Sequence, residues 1–309
     1  MIIDVDAKQF RQKLPTDPHP FVSEKFTEMN AYKVDRIVRL IQDVDKVPLG
    51  LVAGVKDNVL LSPFSAPFGG FHYKNENIYP STIDSFLAEL IEYARCEQLK
   101  KIQITLPPDL YSMSFNAKTI NSFVRLGFQM EIPDTTNWVE LKTFNDAYTY
   151  PDSRTYYNQA VKHGLSFQTV STHSEIEAIY ELIVDSRVRM ERPIYMTLDD
   201  VLNTSKLFPT DFLSVTNPTG ELVAGAIFYR INRIAFAVFW GDAITGRAFR
   251  AMDFMAIHLW SYYKKLGFHI VDLGKSSESG VPNEGLLRFK ETHECVTSLK
   301  YTFTYLLNE

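Results

Sequence analysis

Cysteine is almost missing from this 309-residue chain, with only Cys96 and Cys295 present. Two cysteines cannot build a disulfide framework, and such sparing use fits a reducing compartment. Long apolar runs are missing as well; none approaches the roughly 18 residues that a membrane-spanning helix needs. The opening MIIDVDAKQFRQKLP lacks the basic stretch and apolar stretch of a secretory signal. These absences predict a cytoplasmic protein without stable membrane insertion. There is no excess of positive charge: 32 Lys and Arg against 37 Asp and Glu leave a formal net charge of -5. That excludes a surface that binds nucleic acid all over, though one local basic groove would suffice. The seven histidines are scattered, and only His163 and His173 lie within ten residues of each other. No His-Glu-x-x-His motif or Cys/His pair occurs, so no metal site is expected. Nor does the sequence suggest a Ser/His/Asp or Cys/His nucleophile.

What is present is apolar bulk. Hydrophobic residues make up 45% of the chain, including 22 Phe, 16 Tyr and 3 Trp. This is ample for packed cores and excludes bulk disorder. At about 150 residues per domain, the length suggests two domains. Residues 1–30, with Pro15, Pro18 and Pro20, read as an irregular lead-in. Strands then alternate with helices from about residue 34 to 141. The stretch STIDSFLAELIEYARCEQLK carries Phe86, Leu87, Leu90, Ile91 and Ala94 at helical spacing. Residues 142–165 lose this rhythm and hold Pro151, which predicts domains at 1–150 and 151–309. The second half continues with helices over SEIEAIYELIVDSRVRM, TLDDVLNTSKLF and RAMDFMAIHLWSYYKKLG. Its strands include ELVAGAIFYRIN, RIAFAVFWGDA and HIVDLG.

The two halves share words in the same order. LVAG occurs at 51–54 and again at 222–225, and each copy is followed 16 residues later by a glycine, Gly70 or Gly241. FLA at 86–88 answers FMA at 254–256, and FVR at 123–125 answers LLR at 286–288. Each half therefore reads as a hairpin, a helix, a strand, a helix and a strand around one sheet. A strand-to-helix junction in such a unit offers free backbone N–H groups to an anion or oxyanion.

This element order resembles the GNAT acyltransferase fold, present twice. The particular words resemble the Fem-type aminoacyltransferases, which are tandem GNAT pairs. Four stretches carry the likeness: SPFSAPFGGF at 62–71, FVRLGFQMEIPDTTNWVEL at 123–141, SRTYYNQAVKHGL at 153–165, and HIVDLGKSSESGVPNEGLLRFKETH at 269–293. The last is the most specific. The resemblance implies an α+β chain of two tandem GNAT-like domains, each a mixed, mostly antiparallel sheet flanked by helices. It also implies transfer of an acyl or aminoacyl group to an amine of a cell-envelope, peptidoglycan-type precursor.

By the same resemblance, Lys290 is the residue that would stabilise the oxyanion. Arg154, with Lys162 behind it, would hold an anionic small-molecule or lipid-linked precursor; the bland alternative is an interdomain ion pair. Lys33 could act similarly by position. Asp272 and Gly274 end the strand HIVDLG, and the loop after them would line a cleft or form a surface turn. Phe289 would be core or an aromatic wall. Gly69 and Gly70 permit close backbone approach, either to a ligand or within a bulge. The charged stretch 185–192 reads as a solvated helix face or an acceptor contact.

Two departures bear on the donor. The linker is too short for the coiled-coil arm of some Fem-type members. The coenzyme A loop, a basic residue followed by x-x-Gly-x-Gly/Ala, is missing. The first half offers GGFHYKNENIYPS there, and the second offers Gly246, Arg247, Ala248, Phe249 and Arg250 without a second glycine. Acetyl-CoA is therefore disfavoured against an aminoacyl-tRNA, and a GNAT using acyl-CoA, or a non-catalytic binding module, stands as the alternative. Arg247 and Arg250, with Arg154 and Lys162, would line the basic groove a donor tRNA requires.

Overall fold

The computed structural model describes residues 1–307. The chain packs into two compact units that are not contiguous in sequence. The first takes Met1–Thr135, Ser277–Val281 and the stretch from Ser298 onward; the second takes Thr136–Ser276 and Pro282–Thr297. Residues 136–150 and those from 298 onward therefore lie across a division at 150 from the unit in which they pack.

In the first unit the chain runs through β1 (Ile2–Asp4), α1 (Ala7–Lys13), α2 (Glu24–Met29), β2 (Arg36–Gln42), β3 (Leu49–Lys56), β4 (Val59–Ser62) and β5 (Phe71–Tyr73). It continues with α3 (Pro80–Cys96), β6 (Lys101–Thr105), α4 (Asp109–Arg125) and β7 (Gln129–Met130). Residues 1–30 are thus not an irregular lead-in. The Asp6 carboxylate accepts from Gln9 N at 2.7 Å, and the Gln9 side chain reaches back to Asp6 N, a capping box that starts α1. Burial of Phe10 and Leu14 then docks this helix on Gly50 of β3, where a Cβ would stand 2.5 Å from Leu14. The prolines that suggested irregularity all lie beyond α1. β3 is apolar and buried along nearly its whole length, as a central strand should be. α3 lays Ile83, Phe86, Leu87, Leu90, Ile91 and Ala94 into the same core.

The second unit holds β8 (Asp134–Glu140), α5 (Pro151–Lys162), β9 (Ser166–Val170), α6 (His173–Arg189) and α7 (Leu198–Ser205). β10 (Thr210–Thr216), β11 (Leu222–Ile231), β12 (Ile234–Asp242), α8 (Ala251–Lys265) and β13 (Ile270–Lys275) follow. The short pair β14 (Ser277–Glu278) and β15 (Val281–Pro282) falls in the first unit except for Pro282; α9 (Glu284–Thr292) and β16 (Val296–Lys300), which joins the second sheet, follow, and β17 (Thr302–Leu306) belongs to the first unit. Alternation along β11 and β12 sends residues to opposite faces. Ile227 and Phe239 meet Ile179 and Ile183 of α6, whereas Phe228 and Ala237 meet Met255, Trp260 and Tyr263 of α8.

The two sheets have the same plan. The first runs β1-β2-β3-β4-β6-β17-β7, with β5 also on β3; the second runs β9-β10-β11-β12-β13-β8-β16. The parallel pair is β4/β6 in one and β12/β13 in the other. The LVAG words fall on β3 and β11, the equivalent strands. Beyond the parallel pair, each sheet takes one strand from the other half of the sequence: β17 enters the first sheet and β8 the second.

Candidate functional site

The second unit's parallel pair is short. β13 lies beside β12 only over residues 234–236 and 270–272, although β12 runs on to Asp242. From residue 237 onward β12 has no strand partner on that side among the described residues. Both strands are irregular just there. Ile227 faces Phe239 while Phe228 faces Ala237, which leaves Val238 as a bulge in β12. On β13 the register against β8 breaks between Asp272 and Lys275. Bulges bend a strand and re-aim its backbone, and here two of them lie side by side where the strand pairing ends.

Lys290 of α9 stands behind the β13 bulge. Its Nζ donates to the carbonyls of Leu273 (3.0 Å), Gly274 (2.9 Å) and Lys275 (3.1 Å). An ammonium has three N–H groups, so all are spent on backbone. The side chain is only 1% exposed, and burial brings its pKa down to about 8. The geometry thus gives Lys290 the duty of holding the bulge, with no proton left over for an oxyanion. Gly274 has φ of 63°, and open space surrounds the position its Cβ would take. The Asp272 carboxylate accepts from Gly274 N at 2.8 Å and is itself buried. Phe289 is half-buried, stacked 3.9 Å from the His293 ring and 5.8 Å from Trp240. Lys290, Asp272, Gly274 and Phe289 therefore assemble around one strand end.

Two arginines supply charge that remains uncommitted. Arg187, in the last turn of α6, lies over the Phe239 ring of β12 at 5.0 Å. Its Nε is buried with no protein partner, and its one hydrogen bond is a long one of 3.4 Å to the Pro193 carbonyl. Burial and the positive charge of Arg192 lower its pKa. Arg187 and Arg192 both also disfavour the charge on Lys290. Neither arginine has a carboxylate within ion-pair distance among the described residues, whereas the neighbouring Arg189 pairs with Asp242 at 3.6 Å. Within the stretch 185–192, then, Arg187 and Arg192 form a cationic pair that acts on Lys290, with Arg187 over Phe239 in the unpaired part of β12.

The other expected residues lie elsewhere. Arg154 donates from Nε and Nη2 to the Tyr148 carbonyl (3.1 and 3.0 Å), within its own unit. Lys162 is exposed at the end of α5. Arg250 caps α8 in a left-handed conformation (φ 56°) and lies 3.9 Å over Tyr156 of α5. Arg247 is 3.9 Å from Asp242. Between them, Gly246 is required by packing: a Cβ there would stand 2.3 Å from the Val223 carbonyl oxygen. The N–H groups of residues 246, 248, 249 and 250 all bond back to carbonyls three positions earlier, so this loop offers no open nest for a pyrophosphate. Lys33 donates to Ser65 Oγ at 2.7 Å in the first unit.

Gly69 and Gly70 serve the chain itself. Gly69 N donates to the Thr105 carbonyl (2.9 Å) at the end of β6, and Gly70 N to Ser62 Oγ (3.1 Å) at the end of β4. The first unit fills with its own backbone the place that the second leaves open. A Cβ on Gly69 would lie 2.5 Å from Ser62 Oγ and 2.6 Å from Pro63 N. Gly69→Ala is accordingly expected to cost about 3 kcal/mol in denaturant unfolding, because backbone atoms cannot step aside. An unchanged midpoint would remove this account.

His293, one of the scattered histidines, closes the segment 269–293. Its Nε2 meets Asp253 Oδ1 at 3.1 Å and its Nδ1 meets the Phe289 carbonyl at 2.6 Å, so both ring nitrogens face acceptors. Tyr148 Oη donates to the Asp253 carbonyl (2.6 Å) and Trp260 Nε1 to the His293 carbonyl (3.1 Å). This is a polar tie between α8 and α9. No spacing rule links residues so far apart.

The strand order and the opened parallel pair can now be set beside known structures. The chain matches FemX with a TM-score of 0.71 at 14% identity, over 100% of this chain and 98% of that one. The chain has a Fem-type tandem GNAT fold. L-PGS from Bacillus licheniformis gives a TM-score of 0.62 at 14% identity, over 99% of this chain and 93% of that one. A tandem GNAT protein from the clavulanic acid biosynthesis pathway gives 0.56 at 10% identity, over 100% and 99%. No family profile and no curated protein sequence matches the chain. In this Fem-type fold the opened pair β12/β13 occupies the strand ends where open sheets take their ligands. No helix of the described residues is long and apolar enough to cross a membrane, and no group of His, Cys, Asp and Glu among them could hold a metal ion.

Proposed function

We propose that the chain is an acyltransferase that moves an acyl or aminoacyl group from an ester donor to an amine, in the cleft between β12 and β13. The observation that carries this reading is the opened parallel pair, with Arg187 over Phe239 in the unpaired part of β12 and Arg192 acting on its charge. The likeness to FemX and L-PGS supports the aminoacyl version. In that reaction the amine nitrogen attacks the ester carbonyl carbon and a C–N bond forms. The carbonyl oxygen takes up negative charge. The C–O bond then breaks, and the leaving hydroxyl takes the proton that the amine gives up. Such a transfer requires placement and charge stabilisation more than a protein nucleophile. Lys290 would fix the backbone of the cleft, and Arg187 with Arg192 would meet the anionic oxygen or an anionic group of the acceptor. Phe289 and Trp240 would form an aromatic wall.

The donor we favour is an aminoacyl-tRNA, because the loop at 246–250 spends its N–H groups internally. Arg247, Arg250 and Lys162, with Arg154, would supply its basic track, and an amine on an anionic or lipid-linked envelope precursor would be the acceptor. Charged tRNA and acetyl-CoA should be titrated into the protein at two salt concentrations. The expected result is tRNA binding that weakens steeply with salt and no CoA binding. Tight CoA binding would overturn the choice of donor, and binding of neither would remove the reading.

A further inference from the structure

A cavity in the first unit has no part in the acyl-transfer reading. It is small and open to solvent, with about 10 Å³ for the centre of a water-sized group such as an ammonium head, and His19, Gly69, Tyr73, Tyr111, Ser112 and Asn116 contribute to its wall. Two of these side chains are almost wholly buried: His19 is 3% exposed and Asn116 0%. Each carries an atom that no protein group satisfies, His19 Nδ1 and Asn116 Oδ1. Both atoms are acceptors, and their chemistry is fixed by what their partner atoms do. His19 Nε2 lies 2.9 Å from the Gly69 carbonyl, which can only accept. The proton therefore sits on Nε2, and Nδ1 keeps a bare lone pair. Burial holds the His19 pKa down to about 3, so the ring stays neutral in ordinary conditions. Asn116 Nδ2 donates to the Pro107 carbonyl (2.7 Å) and to Asp109 Oδ1 (3.1 Å), which fixes the amide with its oxygen as the unmatched end.

Leaving two acceptors buried and unpaired is unfavourable. A ligand that brings N–H groups relieves that. The surroundings choose its charge. Asp109 holds Asn116, the Glu76 carboxylate accepts from Ser112 Oγ at 2.8 Å, and Asp17 acts electrostatically on His19. The nearby cations are committed: Lys118 Nζ donates to the carbonyls of Glu76 and Ile78, and Arg11 pairs with Asp17 and Glu24. The rings of Phe71, Tyr73, Tyr111 and Phe115 complete the wall, and Phe68 backs it, 4.8 Å from His19 and 4.7 Å from Tyr111. Such faces attract a cation.

We propose that this cavity is a subsite for a primary alkylammonium group, which donates to His19 Nδ1 and Asn116 Oδ1 with its stem against Tyr111. The inference is independent of the acyl-transfer reading. The test is a titration of the full chain with n-butylammonium chloride, followed through the histidine ring nitrogens in long-range proton–nitrogen spectra. Tetramethylammonium, which has no N–H, and n-butanol, which has no charge, are the controls. The expected result is a saturable change at His19 Nδ1 with butylammonium alone. His19→Phe and Tyr111→Leu should each weaken binding about ten-fold or more. Tyr111→Leu leaves both acceptors in place and so still reports if His19→Phe fails to fold. No change at His19, an equal change with butanol, or a bound water on Nδ1 that butylammonium does not displace would overturn the proposal.

Discussion

Lys290→Met is expected to lower stability by about 3 kcal/mol near neutral pH, and by more as the solution is made alkaline. The substitution leaves the carbonyls of Leu273, Gly274 and Lys275 without their donor. Each unsatisfied buried acceptor costs about 1–3 kcal/mol. Relief of the buried charge returns part of this, since a desolvated ammonium is itself unfavourable. The same lysine sets the pH dependence. Its pKa is down to about 8 in the folded chain, from the 10.5 of a freely solvated lysine. Between those values the unfolded chain holds more protons, so the wild-type stability from this group rises with pH. The penalty of charge burial is complete below about pH 8 and gone above about 10.5. The gap between wild type and Lys290→Met should therefore widen through that window by about 3 kcal/mol. Denaturant unfolding of both proteins at several pH values measures it. A gap that stays flat from pH 7 to 11 would mean that the ammonium is not buried as described.

The double substitution Arg187→Gln, Arg192→Gln is expected to act in the opposite sense on stability and strongly on transfer. Arg187 is a half-buried cation whose Nε has no partner, and Arg192 opposes its charge. Removing both charges should leave the unfolding midpoint unchanged or raise it slightly. Transfer, by contrast, should fall about 100-fold or more, the usual effect of deleting a donor aimed at developing negative charge. Folded proteins keep such uncompensated charge where a ligand supplies the counter-ion, and stability is commonly sacrificed at working sites. Transfer near the wild-type rate, or a large drop in the midpoint, would show that these arginines serve the fold.

Much of this architecture could be read from the residues. The LVAG words mark equivalent strands, and the helical spacing of Phe86, Leu87, Leu90 and Ile91 marks the face that α3 buries. The GLLRFK segment pointed to the strand end where the cleft opens. What escaped was what depends on partners distant in sequence. A strand pattern of period two does not say which sheet the strand joins, so the destinations of β8 and β17 were hidden. Lys290 could be singled out by its segment, but not the three carbonyls that use up its protons. Arg187 and Arg189 look alike in a charge run; only Asp242 and the Phe239 ring distinguish them. The matched pair of acceptors on His19 and Asn116 exists only once the fold has brought them to one cavity.

The exchange of strands between the two sheets has a consequence for biosynthesis. β17 stands between β6 and β7, yet it is made only after the strands of the second sheet. Throughout translation of the second half, the first sheet has an incomplete ladder along β6, and β7 has no neighbour to bond. Such an edge is a template for unwanted pairing. The first sheet of the nascent chain therefore stays open to mispairing until β17 has left the ribosome.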